Sequence, residues 1–267
     1  MKRGENIMIE TYIHQLDIAY LSSFSTKIEK SWGYLFYNEN QPTYYDANHA
    51  NLSSYEGNTE EIINEVIDFY QRKNIIPRFY LTHYEKQEAF LTSLKDKGFR
   101  FEEFESPVQL WQRNVEIAVD PKVTIEKVTT KNMQAAIEIE CQIPELGGSI
   151  REKAFKEEFA QECYTHYLLK YDGVPCSTAC VFFHEQNARL ESVATLKEYR
   201  GKGLIGQLIH YIQEEVKKKN VERFWVFPIN EQVEKVYQKS GFETIMNIKV
   251  GHAFLGGKSV EEIRKGL

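Results

Sequence analysis

One series of elements occurs twice in this chain, and that duplication limits its fold more than any other feature. In the first half, Ile62, Ile63, Val66, Ile67 and Tyr70 form the apolar stripe of an amphipathic helix within Glu60 to Tyr70. Arg78 to Thr82 then reads as a strand, Lys86 to Lys97 as a helix stopped by Gly98, and Phe99 to Trp111 as a further strand. In the second half, Leu204, Ile205, Leu208, Ile209, Ile212 and Val216 form the same stripe. Arg223 to Phe227 follows as strand, Glu231 to Lys239 as helix, Gly241 as its stop and Phe242 as the opening of a closing strand. Lys97-Gly98-Phe99 and Ser240-Gly241-Phe242 occupy the same place in the two series. The 267 residues therefore divide into two α/β copies, 1–115 and 121–267, joined across Asn114 to Pro121.

The second copy has more elements ahead of the shared series. Val123 to Lys127 reads as a strand, Lys131 to Cys141 and Arg151 to Glu162 as helices, and Tyr164 to Tyr171 and Pro175 to His184 as strands joined through Asp172-Gly173. Arg189 to Leu196 is a strand that runs into a glycine-rich loop. The first copy offers one helix, Gln15 to Ser23, and strand-like runs at Trp32 to Phe36 and Thr43 to Asp46. Gly256 to Leu267 reads as a short charged helix.

Net charge is −6, which gives no electrostatic footprint for nucleic-acid phosphates. No stretch approaches the length of an apolar membrane span, and no secretory leader is read at Met1 to Glu5, so a cytoplasmic protein with no membrane partner is expected. Cys141, Cys163, Cys176 and Cys180 lack a second cysteine or histidine pair at zinc-ligand spacing; they read as packed free thiols, and no metal is expected.

The loop Tyr199-Arg200-Gly201-Lys202-Gly203-Leu204-Ile205-Gly206 lies between a strand and an amphipathic helix. Glycines let successive backbone N–H groups converge, and a helix N-terminus adds partial positive charge, so the place suits a pyrophosphate. Gly201, Gly203 and Gly206 also satisfy the dinucleotide pattern G-x-G-x-x-G, with Glu222 downstream. Two departures count against that reading: Lys197 to Arg200 separate the strand from the first glycine, and Glu222 precedes its strand instead of closing it. The nucleotide-hydrolase phosphate loop is excluded because Gly203, not serine or threonine, follows Lys202.

The strand and loop from Val193 to Gly203 resemble the cofactor segment of the GCN5-related N-acetyltransferase (GNAT) superfamily, whose loop has the form Q/R-x-x-G-x-G/A. Asn230, Tyr237, Gly241 and Phe242 are similar to that family's N-x6-Y-x3-G-F ending. The resemblance covers about residues 123 to 254, and the duplication extends it to the first half. It departs at Ile205, where the family carries a small residue and this chain places its glycine one position later, at Gly206.

The resemblance implies two tandem GNAT-like domains, each a mixed, mostly antiparallel sheet flanked by helices. It implies an N-acetyltransferase that moves an acetyl group from acetyl-CoA to a primary amine of a small molecule or protein. Val193, Ala194 and Thr195 would pair along the pantetheine arm, and Arg200, Gly201, Lys202, Gly203, Ile205 and Gly206 would hold the pyrophosphate, with Asn230 a further cofactor contact. Tyr237 would protonate the departing thiolate and Glu191 would serve as base, with His184 a weaker candidate. A catalytically silent acyl-CoA-binding regulator and, more remotely, a dinucleotide oxidoreductase are the alternatives.

At the corresponding loop the first copy has Ser53-Ser54-Tyr55-Glu56-Gly57-Asn58-Thr59, without a basic residue and with Glu60 and Glu61 following. Leu94 stands in the place of Tyr237. The first copy is therefore expected to bind no coenzyme A and to pack on the second in a monomer, shaping the acceptor cleft.

Overall fold

The computed structural model describes residues 3–52 and 57–264. In the first half, α1 (Arg3–Phe24) leads to β1 (Thr26–Lys30), β2 (Gly33–Tyr37) and β3 (His49–Leu52). Next come α2 (Thr59–Gln71), β4 (Arg78–Thr82), α3 (Glu88–Asp96) and β5 (Arg100–Trp111). The second half begins with β6 (Val123–Lys127), α4 (Met133–Cys141), α5 (Arg151–Phe159), β7 (Tyr164–Tyr171), β8 (Val174–His184) and β9 (Asn187–Thr195). It continues through α6 (Leu204–Lys217), β10 (Arg223–Val226), α7 (Glu231–Lys239), β11 (Phe242–Phe254) and α8 (Val260–Arg264).

These elements form two compact units that are not contiguous in sequence. One comprises the residues up to Glu105 together with Ile248–Ile263, and the other holds Ser106–Asn247. The sheet of the first unit runs β1-β2-β3-β4-β11-β5, with β3 and β4 parallel. That of the second runs β11-β5-β10-β9-β8-β7-β6, with β9 and β10 parallel and β6 to β9 antiparallel. Each unit is thus a mixed, mostly antiparallel sheet with helices packed on it.

The division at 1–115 and 121–267 follows the repeat along the chain, whereas the compact units follow strand pairing. In the first unit, β4 is flanked by the far end of β11, with Gly251 opposite Leu81 and Phe254 opposite Arg78. In the second, β10 is flanked by the far end of β5, with Trp225 opposite Leu110. Each closing strand begins in its own copy's unit and ends in the other unit.

The core of the first unit packs Ile62, Ile63, Val66 and Tyr70 of α2 and Phe90 and Leu94 of α3 against Leu35, Ala50, Phe79 and Leu81. The α6–α7 face of the second unit is built likewise, with Leu204, Leu208, Ile209 and Ile212 against Tyr167, Val181, Leu190 and Phe224. The predicted hairpin turn is present, with φ of 49° at Asp172 and 80° at Gly173, the paired positive values of a type I′ turn.

The expected strand at Thr43 to Asp46 is a run of turns. Asn48 organises it: its side-chain amide donates to the carbonyls of Gln41 and Tyr44, and its Oδ1 accepts from the N–H of Asn38. The strand pairing with β4 is β3, a few residues later. The loop residues Ser53 to Glu56 lie outside the described residues.

Candidate active site

Two irregularities in β9 open the sheet of the second unit. The first is a bulge. Cys180 faces Glu191 and Thr178 faces Ala194, so Ser192 and Val193 together stand opposite the single residue Ala179. Ser192 takes φ of +51°, a left-handed conformation that costs a non-glycine residue about 1 kcal/mol. The bulge resets the strand's alternation. Ala188 and Leu190 face the α6–α7 core, as Val193 does after it, while Ala194 joins the core under α4.

The second irregularity is a parting of strands. Parallel pairing of β9 with β10 ends at Leu190 opposite Val226, while β9 continues along β8 to Thr195. From Glu191 to Thr195, the edge of β9 that faced β10 has no paired strand among the described residues. An extended ligand can add there as a strand would.

The end of β9 is held in place by side chains. Ser177 Oγ donates to the carbonyl of Ala194 at 2.6 Å and lies 2.8 Å from Thr195 Oγ1. Arg200 Nε donates to the carbonyl of Thr195 at 3.0 Å, which folds the loop back onto the strand it leaves. Lys202 Nζ rests over the rings of Tyr199 and Tyr171, 4.9 and 5.1 Å from their centroids.

Gly201 and Gly203 take φ of +79° and +74°, and a Cβ at either would meet nothing within 4 Å. Backbone conformation therefore requires glycine there, and the space above the loop is open. Gly203 is the N-cap of α6 and supplies no side-chain hydrogen bond to the helix. The first-turn N–H groups and the helix dipole thus remain available to an anion. Ile205 packs partly against the α6–α7 core, and a Cβ at Gly206 would stand 3.8 Å from the Ile117 side chain.

The N-terminus of α2 is closed by contrast. Asn58 Oδ1 accepts from the N–H groups of Glu60 and Glu61, and both glutamates lie in the first helical turn. Two of the helix's first N–H groups are thus engaged, and the local charge is negative.

Tyr237 projects from α7 into the α6–α7 core and is 6% exposed. Burial raises its phenol above the usual range, and the nearby charge of Glu191 raises it further. Glu191 on β9 and Tyr237 on α7 are thus within electrostatic range of each other. Glu191 Oε1 accepts a hydrogen bond from Arg189 Nε, a residue sequence reasoning did not select. Asn230 caps α7, its Oδ1 accepting from the N–H of Val233 at 2.9 Å. His184 lies opposite Asn187 where the β8–β9 hairpin closes, four residues along β8 from the pair of Cys180 with Glu191. That is roughly 13 Å at strand spacing, which removes it from this site.

Behind the sheet, a buried network links α4, α5, β7 and β8. Arg151 donates to Glu140 and, through both terminal nitrogens, to Glu158, whose Oε2 lies 3.8 Å from His166 Nε2; the latter is 3.5 Å from Cys180 Sγ. Burial lowers His166 to about 4 and raises Glu140 to about 7 against the opposing pull of Arg151. Glu158, His166 and Cys180 have metal-ligand chemistry and lie within 4.8 Å of one another. Arg151 already engages both oxygens of Glu158, and its guanidinium sets a positive charge against the cluster. All four cysteines are free; Cys176 and Cys180 are buried as expected, whereas Cys141 and Cys163 are half-buried.

Residues 117–242 match the model of the acetyltransferase (GNAT) family. The chain carries a GNAT domain. A GCN5-related N-acetyltransferase from Kribbella flavida superposes with a TM-score of 0.68 at 17% identity, covering 92% of this chain and 95% of its own. A functionally unknown conserved protein from Staphylococcus epidermidis ATCC 12228 gives 0.65 at 12% identity, covering 87% and 95%. A tandem GNAT protein from the clavulanic acid biosynthesis pathway gives 0.55 at 12% identity, covering 79% and 76%. At such identities these likenesses establish the fold, a tandem pair of GNAT-like units. No curated protein matches the chain.

The fold also decides against the dinucleotide reading. That site needs a largely parallel, doubly wound sheet, whereas the GNAT domain's described strand pairs are parallel only at β9 with β10. Among the described residues, no helix is long and apolar enough to cross a membrane.

Proposed function

We propose that the GNAT domain transfers the acetyl group of acetyl-CoA to a primary amine, and that the first copy binds no coenzyme A. The observation that carries this reading is one continuous stretch of chain. The unpaired edge of β9 runs through Thr195 into an open glycine loop at an uncapped helix N-terminus. An extended arm ending in a pyrophosphate has the shape and charge to occupy both.

In this reading the backbone of Val193, Ala194 and Thr195 pairs with the pantetheine arm. The N–H groups at Gly201, Gly203, Ile205 and Gly206, with Arg200 and Lys202, hold the pyrophosphate, while Asn230 has its side-chain amide nitrogen left to offer. The amine nitrogen attacks the thioester carbon, a C–N bond forms and the C–S bond breaks. Glu191 accepts the proton lost by the amine, and Tyr237 donates its phenolic proton to the sulfur. Tyr237 suits that role because burial keeps it protonated. Proton return from Glu191 to Tyr237 resets the site.

Incubation with acetyl-CoA and a panel of amines, with release of free thiol followed over time, tests the proposal. Turnover above the hydrolysis background is expected for at least one amine class. Tight binding of acetyl-CoA without any release would identify a silent acyl-CoA-binding protein instead.

A further inference from the structure

Arg189 and Glu191 are two residues apart on β9, so their side chains project from the same face of the strand. Arg189 Nε donates to Glu191 Oε1, and the two side chains are only 11% and 20% exposed. The guanidinium of Arg189 lies over the ring of Phe227, 4.4 Å from its centroid. Phe227 is the first residue beyond β10, and Arg189 stands opposite Trp225, one step before the last pair, Leu190 with Val226. The arginine is therefore gripped where the sheet opens, and it reaches toward the first residue past the opening.

We propose that Arg189 is a positioning residue for Glu191, holding its carboxylate ionised and in one rotamer at the point where β9 separates from β10. This rests on the reading of Glu191 as the group that takes the amine's proton. A base must be both deprotonated and within hydrogen-bond reach of that proton, and a fixed guanidinium supplies both conditions. Tyr237 on α7 and Cys180 on β8 lie within electrostatic range of Glu191, and Arg189, on its own strand, donates to it. Arg189 is the cation of that set. The aromatic ring matters as well, because a planar guanidinium stacks on it and a lysine ammonium cannot reproduce that contact.

The test is a set of variants assayed for thiol release from acetyl-CoA with spermidine, kanamycin, lysine and a peptide with a free N-terminus. R189M is expected to lower kcat by about 30-fold, less than the roughly 100-fold or more that outright loss of acid–base assistance costs, while the KM for acetyl-CoA stays within about twofold. R189K should recover part of kcat, and F227L should lower it more weakly than R189M. The acid limb of the kcat/KM profile should move to higher pH in R189M, because the nearby positive charge is gone. In an E191Q background, R189M should have no further effect, since a residue acting through Glu191 has nothing left to act on. Wild-type kcat in R189M with a normal profile, or the same loss again in E191Q, would overturn the inference while leaving acetyl transfer intact. Binding of acetyl-CoA by the wild-type protein with no thiol release from any of these amines would overturn both.

Discussion

The Cβ that Gly241 lacks would stand 2.0 Å from the carbonyl oxygen of Arg113. Gly241 also takes φ of +87°, and its own carbonyl accepts from the N–H of Gln112 at 3.0 Å. The equivalent Gly98 has φ of +86°, but its nearest neighbour is the Leu255 side chain at 3.7 Å. Both glycines satisfy the same helix stop; only Gly241 also faces a close backbone approach. G241A is expected to destabilise the protein by more than about 3 kcal/mol and G98A by about 1 kcal/mol, because a side chain can shift where a hydrogen-bonded backbone cannot. Urea unfolding of the two variants measures the difference; equal losses would show that the close approach of the Arg113 carbonyl adds nothing to the cost of a side chain at Gly241.

Calorimetric titration with coenzyme A is expected to give one site per chain. Asn58 occupies the first N–H groups of α2, whereas Gly203 leaves those of α6 open. A second site would refute this account of the first copy.

Y237F should retain the fold and acetyl-CoA affinity, and it should lose turnover by about 100-fold, at the lower end for an acid that acts in the transition state. A variant with unchanged turnover would remove Tyr237 from the mechanism. Burial, followed by the charge of Glu191, raises the folded-state pKa of Tyr237 above its unfolded value near 10. Its contribution to stability is thus fully present below pH 10 and declines as pH rises beyond it. Unfolding of wild type and Y237F at pH 8 and pH 11 should show wild type losing more stability between the two.

Glu140 and His166 should titrate stability in opposite directions. Glu140 is raised from 4.5 to about 7 in the folded protein, chiefly by burial, so its contribution is fully present below about pH 4.5 and falls as pH rises to 7. His166 is lowered from 6.5 to about 4 by burial, so its contribution is present above pH 6.5 and is lost as pH falls to 4. E140Q, which keeps an acceptor for Arg151 while removing one buried charge, should gain stability relative to wild type between pH 5 and pH 8. H166Q should show a shallower acid loss than wild type between pH 6.5 and pH 4. Parallel stability curves for the wild type and each variant would contradict these assignments.

The sequence by itself determined the duplicated α/β series, most element boundaries after Glu60 and the glycine loop with its helix. These follow from local rules: apolar residues at helical spacing, alternating strands, and glycines where φ must be positive. Asp172-Gly173 was legible as a hairpin turn for the same reason, and Arg200 to Gly206 as a glycine turn leading into a helix. Thr43 to Asp46 was misread because Asn48, a polar side chain with no strand signal, closes that loop through three hydrogen bonds.

Only the tertiary structure decided what depends on partners distant in sequence. The bulge at Ser192 is invisible locally, since serine gives no hint of positive φ and the two-against-one count exists only once β8 is alongside. The parting of β9 from β10 and the seating of Arg189 on Phe227 likewise require strands and helices to be assembled. The exchange of closing strands belongs to the same class. The pairs that complete each sheet, Trp225 with Leu110 and Gly251 with Leu81, join residues more than a hundred positions apart, so they are settled by the whole fold and not by β5 or β11 alone.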